Sequence, residues 1–167
     1  AHSLTHGVGL LLAIAALVLM VVLSAQQGSA LRVVSSAIYG TTLIVLYASS
    51  MFYHALPPGR AKRVFGILDH AAIFLLIAGT YTPFTLVTLD SNWGWSLFGV
   101  IWGLAIGGVV LEAVSRGRVR RVQLLLYLVM SLTTSVYGGV MASLGLQGLG
   151  IGNRREPYLG MTSFWLN

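Results

Sequence analysis

The sequence predicts an all-α fold, a multi-pass transmembrane helical bundle, and three observations predict it. Hydrophobic residues make up 56% of the 167 positions and charged residues only 8%, where a soluble domain carries about 25% charged. Mean hydropathy is +0.84. The apolar residues gather in five runs, each long enough to cross a hydrocarbon layer of about 30 Å as a helix of about 20 residues. Lipid offers unpaired backbone groups no water, so helices or a closed barrel are required. Barrel strands alternate apolar and polar residues, and LLLAIAALVLMVVL does not.

The first run is placed at residues 6–24. AHSLTHG, which precedes it, has no Lys or Arg, so it does not resemble the basic start of a signal peptide. The second, residues 33–54, follows AQQGSALR. The third, residues 69–89, opens on Asp69 and contains Pro83 in GTYTPF, where a kink is expected. Tyr81 and Thr82 beside it are expected to satisfy freed backbone groups. The fourth, residues 94–114, carries Gly99, Gly103 and Gly107 at spacing four, a stripe that predicts close packing against another helix. The fifth is residues 122–144. Residues 1–144 thus form the transmembrane domain and residues 145–167 a Gly-rich, irregular tail.

The connections carry unequal charge. Arg60, Lys62 and Arg63 follow the second run, and Arg116, Arg118, Arg120 and Arg121 follow the fourth. The first connection holds only Arg32 and the third only Asp90. Basic loops stay in the cytoplasm, which predicts a cell-membrane protein with a cytoplasmic N-terminus and puts Trp93 and Trp95 in the outer aromatic belt. Arg154 and Arg155 fall outside, against the rule. The net charge of +6 therefore reflects loops beside a bilayer and not a nucleic-acid partner. Cysteine is absent, which excludes disulfides, thiolate metal sites and thiol nucleophiles.

Few polar groups stand in or beside the spans. Ser50 and His54 are four apart and share a helix face. Asp69 opens the next run after a turn, so neighbouring antiparallel helices would bring all three to one depth near the cytoplasmic interface. Imidazole and carboxylate suit a zinc ion and its bound water, and a hydroxyl suits a developing oxyanion. A structural reading stands beside it: Asp is a favoured N-cap, interfacial His is wetted, and Ser is common where helices touch. Glu112 and Arg116, at spacing four, read as a helix-end ion pair. His2 and His6 have a metal-compatible spacing but read as a frayed terminus.

SLTHGVG, SSMFYHAL, LDHAAIFLLIAGTYTPF and GWSLFGVIWGLAIGGVVL, in that order over residues 3–130, resemble the bacterial haemolysin III proteins, which belong with the adiponectin and progestin receptors (PAQR). The resemblance implies seven helices with the N-terminus inside and a zinc ion near the cytoplasmic face. Its ligands are a Ser-x-x-x-His histidine in the second helix and a His-x-x-x-His pair in the last, with an aspartate contacting the metal through water. On that pattern His54 is the metal ligand, Asp69 the water-holding carboxylate and Ser50 the nearby hydroxyl. His6 matches the family's Thr-His-Gly opening. No His follows His70, so the zinc site is expected to be incomplete, with five helices of seven, as in a truncated or frame-shifted product. The function implied for the complete site is zinc-dependent hydrolysis of a lipid amide or ester. The rivals are a cytolytic or channel-forming protein and a receptor-like protein with a structural metal.

Overall fold

A computed structural model of the chain describes residues 2–89, 92–115 and 120–143. It contains five helices: α1 (His2–Gln26), α2 (Ala30–Ala55), α3 (Arg60–Pro83), α4 (Asn92–Ser115) and α5 (Arg120–Ser143). A π-helical turn, Phe84–Thr88, extends α3. The first four are long and apolar enough to cross a membrane, whereas the apolar stretch of α5 is the shorter Val122–Leu132. In the sequence this stretch runs into SLTTS, residues 131–135. The expected irregular tail, together with Asp90, Arg116, Arg118, Arg154 and Arg155, lies outside the described residues.

Local chemistry sets the helix ends. Gly28 takes a left-handed φ of 69°, which glycine adopts without a Cβ penalty. Ser29 then caps α2 by accepting from the Arg32 amide at 3.4 Å. Pro57 and Pro58 follow the end of α2, where the residue before proline is driven into extended backbone. The next helix starts at Arg60 behind Gly59, which gives it no side-chain cap. That is nine residues before the start predicted at Asp69. The basic stretch contains helix-forming residues, and Phe65 docks on Phe52 with ring centroids 5.1 Å apart, so this turn of α3 has a packing partner on α2.

Successive helices run antiparallel. His6 meets His54, Gly7 meets Met51, Leu17 meets Gly40 and Ser24 meets Ser36 across α1 and α2. Thr42 meets Gly79 and Tyr53 meets Gly66 across α2 and α3. Phe74 meets Gly108 and Thr82 meets Trp102 across α3 and α4. Small residues facing large ones let backbones approach where no hydrophobic force acts between helices in lipid. Phe74, Ala78, Ile101, Ala105 and Met130 form the centre of the core. Many large apolar residues face outward instead, among them Leu4, Leu11, Leu12 and Leu19 on α1, as a lipid solvent demands.

Two expectations about packing need correction or refinement. A Cβ at Gly99, Gly103 or Gly107 meets nothing within 4 Å among the described residues, so no described residue packs closely on this stripe. Gly108, one residue outside the pattern, is the glycine that seats Phe74. At Pro83 the missing N–H breaks the ladder and the π-helical turn follows. Thr82 donates to the Ala78 carbonyl at 2.8 Å, and Thr85 to those of Tyr81 and Thr82 at 3.1 Å. The threonine hydroxyls here serve backbone carbonyls, but Thr82 bonds that of Ala78 and not that of Gly79, the one Pro83 leaves without its usual N–H, while Tyr81 donates to the Ser131 carbonyl at 3.4 Å and ties α3 to α5.

Candidate functional site

His54 stands in the last turn of α2 and Ser50 one turn before it, His54 exposed and Ser50 buried. Asp69 is half-buried in the interior of α3. The α2–α3 contacts pair residues whose numbers total about 120, so Asp69 stands level with residue 51, and His54 is three residues, about 4.5 Å, nearer the basic end. The three residues therefore lie at one end of the α2–α3 pair within about a turn of the same depth. Because the helix begins at Arg60, Asp69 is not the N-cap that the structural reading of the sequence made it. An ionisable side chain inside a span costs free energy unless it serves a partner or a site.

The rings around His54 come from α1 and α2. His6 stacks on His54 with centroids 5.4 Å apart and planes inclined by 10°. Tyr53 meets His54 edge-on at 5.0 Å, and Tyr47 lies 6.3 Å from His6. Residues 40, 47, 51 and 54 of α2 share the face toward α1, while Thr42 and Tyr53 face α3. His6 is thus part of a packed helix and not a frayed end. The side chain of His2 is outside the described residues. Among the described residues no group of three or more His, Cys, Asp or Glu is arranged to hold a metal ion.

A second polar cluster lies between α3, α4 and α5, where His70, next to Asp69 in α3, is half-exposed. Glu112 is 1% exposed. Its Oε1 is 3.3 Å from His70 Nδ1, and its Oε2 accepts from the Gln123 amide. Tyr127 donates its hydroxyl to the His70 carbonyl at 2.9 Å. Arg116, the expected partner of Glu112, lies outside the described residues, while Glu112 itself is a buried acceptor for bonds from two other helices. An acidic residue within an apolar run is the sequence signal for such a role.

A sequence model of the family described as Haemolysin-III related matches residues 1–149. The chain belongs to the haemolysin III-related family. It is 41% identical over 130 residues to Hemolysin-3 of Bacillus cereus, covering 78% of this chain and 59% of that protein. It is 42% identical over 130 residues to the Hemolysin-3 homolog of Bacillus subtilis strain 168, covering 78% of this chain and 61% of that protein. The haemolysin III-related chain described here thus spans about three-fifths of the length of these relatives. No solved structure matches it.

Proposed function

We propose that this multi-pass membrane protein carries part of a zinc site at the basic ends of α2 and α3, with His54 as ligand, and that the complete site hydrolyses a lipid amide or ester. The observation that carries the proposal is the shared depth of Asp69 inside α3, Ser50 and His54 at one end of the helix pair, with the His54 ring turned toward His6 of α1 and not toward Asp69. The donor set fits zinc in part: imidazole and carboxylate are the right chemistry, but the described residues make no three-donor group. The remaining ligands are assigned to the last-helix His-x-x-x-His that the family resemblance implies.

Zinc, when bound, polarises a carbonyl and lowers the pKa of water to about 7. Asp69 would orient that water and accept its proton. Ser50 would donate its hydroxyl to the substrate oxygen as negative charge develops there. The basic loops assign this end, with the N-terminus, to the cytoplasm.

Proteoliposomes of the protein at its relatives' length, with the last-helix His-x-x-x-His present, test the reading when loaded with zinc and a ceramide-like amide. Turnover should fall about 10²–10⁴-fold in Asp69→Asn, the range for a lost general base, with helicity unchanged. Turnover indifferent to that substitution and to chelation would refute it. A cytolytic role is the second reading, favoured by the names of both relatives. It predicts dye release from liposomes that survives chelation and Asp69→Asn.

A further inference from the structure

At the corner where α2 turns into α3 an outward-opening hollow of about 640 Å³ is lined by Tyr53, Lys62, Arg63, Gly66, His70 and Glu112, among others. We propose that it binds the phosphate headgroup of an anionic phospholipid, with Lys62 and Arg63 supplying the positive charge. The site is independent of the zinc reading.

Lys62 is held in place from two sides. Its Nζ donates to the Leu56 carbonyl at 3.0 Å and lies 5.3 Å from the centre of the Tyr53 ring. An ammonium has three donors, so this bond leaves two for an anion. Arg63 is exposed beside it and adds a planar fork suited to two phosphate oxygens. The positive end of the α3 dipole lies at the same level. Gly66 lets the Tyr53 ring that faces Lys62 pack directly on α3, since a Cβ there would come within 3.0 Å of it.

One acidic side chain, Glu112, shares the lining, at the far end of the hollow from Lys62. Glu112 lies opposite His70, eight residues or about 12 Å further along α3 than Lys62, and both of its oxygens already have partners in His70 and Gln123. Asp69 is nearly as far along α3.

Lipid, and not free phosphate, is the source that fits. Lys62 and Arg63 stand in the first turns of α3, where apolar residues begin, which is headgroup depth for a spanning helix. Phe52, Val64 and Leu68 are exposed beside them at 43%, 55% and 45% and offer acyl chains a surface. Basic pockets between helices are suited to anionic headgroups.

Binding of short-chain phosphatidylglycerol to the purified full chain in neutral detergent tests the proposal. Lys62→Gln retains a donor for Leu56 and, combined with Arg63→Gln, should weaken binding roughly thirtyfold, about fivefold for each charge. Arg60→Gln, in the same turn but outside the lining, should weaken it no more than about twofold, and phosphatidylcholine should bind far less tightly than phosphatidylglycerol. Equal binding by wild type and the double variant would overturn the proposal. So would an Arg60→Gln loss as large as that of either lining residue, since the attraction would then be diffuse. Full displacement of the lipid by millimolar inorganic phosphate would also overturn it, because the site would then select a soluble anion.

Discussion

Replacing Glu112 by Ala removes the acceptor on which two cross-helix bonds converge, one from α3 through His70 and one from α5 through Gln123. A polar contact between membrane helices is worth about 0.6 kcal/mol on average and up to about 1.7. Losing two therefore costs roughly 1–3 kcal/mol, and the space left by a side chain 1% exposed adds about 1 kcal/mol. Glu112→Ala should lower stability by about 2–4 kcal/mol, read from unfolding in mixed micelles by circular dichroism. Glu112→Gln keeps the shape and one acceptor, and should cost less than about 1 kcal/mol. A double-mutant cycle of Glu112→Ala with Gln123→Leu should show coupling above about 0.5 kcal/mol. Ser96→Ala provides the contrast, because that exposed hydroxyl serves only the Asn92 carbonyl of its own helix, at 2.9 Å, and its loss should cost less than about 0.5 kcal/mol. The reasoning fails if Glu112→Ala unfolds like the wild type, or if Ser96→Ala costs as much as Glu112→Ala.

Further predictions follow from packing and topology. Gly108→Leu should destabilise by about 1–3 kcal/mol through collision with Phe74, while Gly103→Leu should stay within about 0.5 kcal/mol of wild type in the same unfolding assay. The chain has no cysteine, so single Gln27→Cys and Gly59→Cys variants report sidedness directly. An impermeant maleimide should label Gln27→Cys in intact cells and Gly59→Cys only in inverted vesicles, and the reverse pattern would contradict a cytoplasmic basic end. Trp102→Phe removes the bond from the indole to Thr82, 3.1 Å long, and should cost about 1 kcal/mol by the same unfolding measurement.

The helices were legible because apolar runs of spanning length have one structural solution in lipid. Their ends were less so. Asp69 looked like a helix start because charge precedes it, yet Arg60 to Leu68 carry enough apolar surface, Phe65 above all, to dock on α2. The packing face of α4 could not be read because that helix is apolar on every side. A spacing of four among glycines then marks a possible face without saying whether a neighbour occupies it, and Gly108 was the one in use. His54, Ser50 and Asp69 stood out through the family motif, and the antiparallel register explains how residues far apart in sequence reach one depth. The partners of Glu112 and the stacking of His6 depend on which helices meet. No local spacing encodes that.

Zinc affinity, measured by competition with a chromophoric chelator on the purified full chain, tests the central claim most directly. The account predicts that His54→Ala weakens binding at least about tenfold and Asp69→Asn about 10–100-fold, the usual range for a group that supports a metal ligand or its water. His70→Ala, whose Nδ1 faces Glu112, should leave the affinity unchanged. Identical isotherms for wild type and His54→Ala would contradict the assignment of that imidazole to a metal.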